Sequence, residues 1–254
     1  MSLRTRTKKP VATPRHGLAR VMSKLGWCSR TQAIAMILEG RVSVDGRVQR
    51  NPERPTDQRE RIHIDGKVVS AVERVYIALN KPRGLLVTAA DDCDRETIFD
   101  LLKSNGLPYL APVGRLDKAS EGLLLMSNDS EWSARVTSPE TGLLKTYHVQ
   151  IDGIPEPAVL DSMRHGIDAE GEHLAAAQAR ILRTGAKNAW LEIVLDEGRN
   201  RQIRRLLAAF NYDVLRLVRI SIGPVALGTL AKGQWRALLK NELQAIAHLS
   251  GSNR

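Results

Sequence analysis

Residues 114–125 read GRLDKASEGLLL and place one carboxylate, Asp117, between a leucine and a lysine just ahead of an apolar run. Two chemistries suit such a residue. A carboxylate can attack an electron-poor carbon, or it can stabilise positive charge that develops on a sugar ring. A turn acid that only helps the chain change direction fits the segment equally well, and spacing alone leaves both readings open. Enzymes that hydrolyse sugars usually add a second carboxylate as acid or base. Glu121 is the nearest in sequence, but it lies past an expected turn and has no assured reach. His63, His148, His165 and His173 are scattered and read as surface or strand residues. The sequence holds no His/Asp/Glu cluster with metal spacing, no paired-cysteine spacing between Cys28 and Cys93, and no GxGxxG or phosphate-loop pattern. No metal, cofactor or nucleotide is therefore implied.

A second segment, DEGRNRQIRRL, opens a stretch with six arginines from Arg199 to Arg219. The spacing of Ile203, Leu206, Leu207 and Phe210 predicts a helix with a buried stripe and Asn200 as its cap. Arg201, Arg204 and Arg205 then project from the other side, where a guanidinium can pair with carboxylate or phosphate. For Arg201 and Arg205 the simpler reading is a solvated basic face or a phosphate contact. In KTYHVQIDG, Tyr147, Val149 and Ile151 share one face of a strand, and by that pattern Tyr147 reads as core.

The elements that must position these residues are strands and helices in no regular alternation. Val75, Ile77 and Leu79 alternate as a strand, followed by a turn, NKPRG, with two cations. Ile98, Leu101 and Leu102 predict a helix ending near Gly106. GLLLMSND reads as a buried strand and an Asn128-Asp129 turn, AWLEIVLDEG as a strand with Leu191, Ile193 and Leu195 inside, and VLRLVRISIG as another. The expected fold class is α+β, a largely antiparallel mixed sheet flanked by helices.

The N-terminal quarter differs in composition. Residues 1–73 hold 15 Lys and Arg against 7 Asp and Glu, which accounts for most of the net charge of +10 over 254 residues. A basic surplus of this kind suggests nucleic acid as partner. No apolar run approaches the roughly 18 residues of a membrane span, and the basic start lacks a secretory apolar stretch, so a soluble, cytoplasmic protein without membrane association is expected. Residues 1–15 read as a flexible basic arm. Leu18, Val21, Met22 and Leu25 mark one short helix. Ser29 caps a second through Thr31–Glu39, with Ile34, Ile37 and Leu38 on its apolar side and Gly40 ending it. Val42 and Val44, then Ile62 and Ile64, alternate beside the hairpin pairs Asp45-Gly46 and Asp65-Gly66. Arg20, Lys24, Arg30 and Arg41 fall on or beside the two helices and are candidates for RNA contact.

The stretch LARVMSKLGWCSRTQAIAMILEGRVSVDGRV resembles the small S-four RNA-binding domain over about residues 16–65. GRLDKASEGLLLMSND, KTYHV and EGRNRQIRRL, in that order, resemble the pseudouridine synthases, and specifically the branch of ribosomal small-subunit synthase A and large-subunit synthases B, E and F. The resemblance covers about residues 16–240. It implies three segments: a basic arm at 1–15, an RNA-binding domain at 16–72 and a catalytic domain at 73–250. It implies a monomer that acts on ribosomal RNA, alone or in pre-ribosomal particles, with no cofactor. Asp117 matches the catalytic aspartate, which attacks the ribose of the target uridine or assists elimination there. Tyr147 matches the tyrosine that stacks on the base, and Arg204 the arginine that pairs with the carboxylate. Ile203 matches an apolar pocket residue, and Arg115 the arginine that fills the gap left by a flipped nucleotide. Arg199, Arg201 and Arg205 are the remaining substrate-binding candidates. Large-subunit rRNA is the expected target. A small-subunit rRNA or tRNA target, or a non-catalytic RNA-binding or ribosome-assembly role, are the alternatives.

Overall fold

The computed structural model describes residues 15–57, 59–88, 96–103 and 105–249. The basic arm therefore lies outside the described residues except for Arg15, as does Cys93. The chain divides into two units, Met1–Glu73 and Arg74–Arg254.

In the first unit the elements are β1 (His16–Gly17), α1 (Leu18–Lys24), α2 (Arg30–Leu38), β2 (Val42–Val44), β3 (Arg47–Gln49), β4 (Pro55–Thr56), β5 (Ile62–Ile64) and β6 (Lys67–Val68). Ser29 starts α2 with a reciprocal cap. Its Oγ accepts from the Gln32 amide at 3.0 Å, and Gln32 Oε1 accepts from the Ser29 amide at 2.9 Å. Leu18, Val21 and Met22 of α1 pack with Ala33 and Ile37 of α2 over the inward side of the β3-β2-β5-β6 sheet. Leu38, expected on that apolar side, is 55% exposed. Ala33 and Ile37 stand one turn apart and take the inner stripe, so the next residue swings about 100° out of it. Asp45-Gly46 and Asp65-Gly66 both hold positive φ at each residue, which is the geometry of a two-residue hairpin turn.

The second unit contains β7 (Tyr76–Lys81), β8 (Ala111–Val113), β9 (Glu121–Ser127), α3 (Ser130–Thr137), β10 (Lys145–Asp152), α4 (Pro157–His165), β11 (Ile167–Ala169), β12 (Glu172–Leu174), β13 (Gln178–Thr184), β14 (Asn188–Leu195), α5 (Gln202–Ala208), β15 (Val214–Ile222), β16 (Val225–Ala226), β17 (Trp235–Ala237) and α6 (Lys240–Leu249). The main sheet runs β13-β14-β10-β15-β9-β7-β17, with β16 on β15 and β8 on β9. Its described pairings are antiparallel except β15 with β9. This is the α+β class that the sequence predicts. The apolar run in β9 is continuous because both of its faces are covered. Leu124 and Met126 join one core with Ile77, Leu79, Val149 and the inner residues of α4 and α5. Leu123 and Leu125 join the other, with Trp132 and Val136 of α3 and Ile246 of α6.

Three expectations are corrected here. The segment from Ile98 to Leu102 forms successive turns in place of a helix. Its amides bond three residues back, Asp100 to Thr97 and Leu102 to Phe99, while the Asp100 carboxylate holds the Thr97 amide at 2.7 Å. These i→i+3 bonds close separate turns and do not continue into i→i+4 helix bonds. Asn200 does not cap α5. The residue at that position is Arg201, at φ +49° without a side-chain cap bond. Phe210 lies past the end of α5 and is only half-buried. Helices α3, α4 and α6 are not among the expected elements. Asp129, expected as a turn residue, starts α3 by accepting from the Glu131 and Trp132 amides at 3.1 and 3.0 Å.

Candidate active site

Strand register sets one line of residues across the second unit. Lys81 of β7 pairs with Gly122 of β9, Gly122 with Arg219 of β15, and Arg219 with Tyr147 of β10. The position at 122 admits only glycine. Its φ is +100°, and a Cβ there would lie 2.3 Å from Arg219 O and 2.8 Å from Arg219 N. The backbones of β9 and β15 thus meet more closely than any side chain would allow.

The loop just before β9 carries Arg115 and Asp117. Its backbone is fixed by Ser120 N donating to Asp117 O at 3.0 Å and Gly84 N donating to Lys118 O at 2.8 Å. Lys81 adds a third restraint from below. Its Nζ donates to Ser120 O at 2.8 Å, Pro82 O at 3.1 Å and Asp117 O at 3.2 Å. The side chain is wholly buried. Burial draws its pKa down from 10.5 to about 8, against the attraction of Asp117 and Glu121. Sequence reasoning missed this role. The only local sign was a cation closing an apolar strand in NKPRG, and two of the three partner carbonyls, Asp117 and Ser120, lie far along the chain.

Above this loop is a cavity of about 420 Å³ whose lining includes Arg115, Asp117, Tyr147, Ile203 and Arg204. It brings together residues from the three segments singled out in the sequence. Asp117 is exposed to it, and neither carboxylate oxygen has a hydrogen bond or ion pair among the described residues. Tyr147 is buried on the β10 face that continues into the core, and Ile203 is buried at the start of α5. Arg204 is half-buried. It donates to Val214 O at 3.3 Å, while its Nε is buried without a partner. Burial and the neighbouring Arg201 and Arg83 lower its pKa, and the attraction of Asp117 opposes them. The expected pairing of Arg204 with Asp117 is thus an attraction at longer range, not a direct ion pair.

Lys145, Arg199, Arg201 and Arg219 also line the cavity, against a single further acid, Glu197. Arg199 is held by Glu197 at 2.8 Å and by His173 O at 2.8 Å. Arg205 stands apart from this group. It bonds Glu170 at 2.6 Å, Glu172 at 2.5 Å and Ala169 O at 3.0 Å, all on the β11–β12 hairpin, and is not part of the lining. Its helix position faces a hairpin that sequence spacing does not reveal. Glu121, the candidate second carboxylate, is 2% exposed and outside the cavity. Arg216 at 2.5 Å and Lys232 at 2.6 Å hold it. No histidine lines the cavity, and the described residues contain no cluster of three or more His, Cys, Asp or Glu suited to a metal.

In the first unit Arg20 is exposed on α1 and Lys24 is half-buried in its last turn. Arg30 lies 3.0 Å from Glu53, and Arg41 lies 2.6 Å from Asp65 and 3.3 Å from Glu39. These pairs are solvent-exposed and therefore weak. No described helix is long and apolar enough to cross a membrane.

Comparison with known proteins points the same way. Residues 75–209 match the family described as RNA pseudouridylate synthase, and residues 17–57 match the S4 domain. A protein of Aquifex aeolicus (strain VF5) named an uncharacterized RNA pseudouridine synthase is 39% identical over 235 residues, 89% of this chain and 92% of that one. Ribosomal large subunit pseudouridine synthase B of Bacillus subtilis (strain 168) is 33% identical over 236 residues, covering 92% and 96%. A pseudouridylate synthase crystal structure aligns at a TM-score of 0.62 and 29% identity, over 92% of this chain and 100% of that chain. By these matches, and by the site they converge on, the chain belongs to the RNA pseudouridylate synthase family and carries an S4 domain ahead of the synthase domain.

Proposed function

We propose that the protein converts uridine to pseudouridine in ribosomal RNA, and in large-subunit rRNA in particular. One observation carries this reading: Asp117, Tyr147 and Arg204 come from three separate segments and line one cavity rich in cations. The choice of large-subunit RNA rests on the Bacillus subtilis relative and on the stretches DKASEGLLL and EGRNRQIRRL.

In this reading the target uridine leaves the RNA stack and enters the cavity. Flipping costs a few kcal/mol of stacking. Stacking on Tyr147 and insertion of Arg115 into the gap offset that cost. The Asp117 carboxylate, without a hydrogen bond or ion pair among the described residues, attacks the ribose or assists elimination. The bond from ribose to N1 breaks, the uracil turns, and a new bond forms from ribose to carbon 5. The carbon-5 proton is then lost, with the Tyr147 hydroxyl as its first acceptor or relay, and N1 gains a proton. The product is an isomer of the substrate, so no electrons enter or leave. Ile203 gives the base an apolar wall, and the charge of Arg204 favours the ionised form of Asp117. Arg199 and Arg201 meet backbone phosphates at the cavity mouth, and the basic S4 unit adds affinity without reading sequence.

Replacing Asp117 by Asn is expected to abolish isomerisation while leaving RNA affinity within about tenfold, a change of about 1.4 kcal/mol. Measurable turnover by purified D117N protein would sink the assignment. Pseudouridine mapping of total RNA from cells with and without the gene names the target. A site lost from large-subunit rRNA is the expected outcome.

A further inference from the structure

We propose that Lys145 and Arg219 form an anion subsite inside the cavity, which takes a phosphate attached to the target uridine. This rests on the uridine-isomerase reading and adds a contact that the reading does not contain. Both residues line the cavity. Lys145 lies on the same face of β10 as Tyr147, and Arg219 is the β15 partner of Tyr147. The two cations therefore flank the residue assigned to the base.

Lys145 and Arg219 make no direct ion pair among the described residues, and Arg219 is the most buried of the cavity's cations. Arg199 has Glu197, Arg205 has Glu170 and Glu172, and Arg216 has Glu121. Arg219 is only 5% exposed, yet it lies in no ion pair among the described residues. Its Nε donates to Leu123 O at 2.7 Å, and one terminal nitrogen donates to Arg115 O at 3.4 Å. The other terminal nitrogen is buried with no acceptor. Lys145 likewise makes no hydrogen bond or ion pair among the described residues. Burial and the nearby charge of Arg219 lower its pKa, against the attraction of Asp196 and Glu197.

An arginine does not shed its proton in a protein, and a buried donor without an acceptor is costly. Two neighbouring like charges, neither in a direct ion pair, add to that cost. A uracil carbonyl would satisfy one donor but would leave the buried Arg219 charge without an anion. A phosphate is ionised at every working pH and supplies several acceptor oxygens, so it answers both deficits. The arrangement thus favours phosphate over base.

The test is calorimetric titration of the full-length protein with uridine 3′-monophosphate, uridine 5′-monophosphate, uridine and inorganic phosphate. The expected result is that at least one monophosphate binds about tenfold or more tightly than uridine, with inorganic phosphate weaker than that nucleotide. Lys145→Met and Arg219→Lys should each cut this advantage to about threefold or less. Asp117→Asn should keep it, which separates the subsite from the reacting carboxylate. Arg219→Lys retains a cation; if it does not fold, Lys145→Met carries the test alone. Equal binding of uridine and both monophosphates, an advantage unchanged in Lys145→Met, or inorganic phosphate binding as tightly as the nucleotides would each overturn the proposal. The readout needs no turnover. A phosphate advantage without any lost pseudouridine in cells would leave the subsite standing and remove the isomerase reading.

Discussion

Replacing Lys81 by Met separates the support of the site from the stability of the fold. Methionine keeps an unbranched apolar chain and removes the amine. The Asp117 carbonyl retains the Ser120 amide as a donor, whereas the Pro82 and Ser120 carbonyls lose the Lys81 amine. Two under-satisfied carbonyls cost about 2–6 kcal/mol. Against that, an ammonium held at about 8 instead of 10.5 carries about 3 kcal/mol of burial penalty, which methionine relieves. The net change then lies between a gain of about 1 and a loss of about 3 kcal/mol, so Tm falls by no more than about 12 °C for a unit of this size. The loop that carries Asp117 nevertheless loses its anchor, and a displacement of about 1 Å at a reacting group costs about 100-fold in rate. The expected result is a kcat about 100-fold down, with RNA affinity close to wild type. Tm and single-turnover isomerisation measured side by side decide it, and a kcat within about threefold of wild type would refute the reasoning. The pH dependence gives an independent check. The folded pKa of Lys81 lies below its unfolded value. Below pH 8 both states carry the proton, and between 8 and 10.5 the unfolded state holds a proton that the folded state has released. Stability of the wild type relative to Lys81→Met should therefore rise across that window. Urea midpoints at several pH values would show it, and a flat difference would contradict it.

Gly122→Ala should cost about 3–5 kcal/mol, from a positive φ and from a Cβ driven against the Arg219 backbone. A Tm within about 2 °C of wild type would show that β9 and β15 can part without loss. Arg205→Ala should lower stability only slightly, since its acidic partners are exposed, and should leave kcat/KM within about threefold. In contrast Arg201→Ala should weaken RNA binding and reduce the slope of log K against log salt by about 0.7–0.9. A large rise in KM for Arg205→Ala would return Arg205 to the substrate-binding group.

Local pattern made much of this architecture legible. The apolar run of β9, the alternation that puts Tyr147 beside Val149 and Ile151, and the Asp-Gly turns of the S4 unit are written in neighbouring residues. The substrate-binding set was less legible, because helix spacing says which side of α5 an arginine leaves but not what lies opposite. Arg204 meets the cavity and Arg205 meets a hairpin. Lys81 and Arg219 were missed for a related reason. A cation in a strand reads as an exposed position until the pairing across four strands is known. Only that pairing shows Lys81 beneath the Asp117 loop and Arg219 beside Tyr147. The turns around Ile98 show the reverse case, where apolar spacing mimicked a helix but the backbone closes only successive three-residue turns.

The parallel joint between β9 and β15 also sets a timetable. The Arg219-to-Leu123 bond closes 96 residues of chain, and a parallel pair cannot be made through a tight hairpin. Loop-closure entropy delays such a contact behind the nearby antiparallel pairings of β10, β13 and β14. Synthesis delivers the carboxylate and the tyrosine long before the strand that closes the floor between them. A chain halted short of Val214 would carry Asp117 and Tyr147 but could not present them to RNA as one site. Under the proposed function, isomerisation would thereby be reserved for molecules that have finished folding.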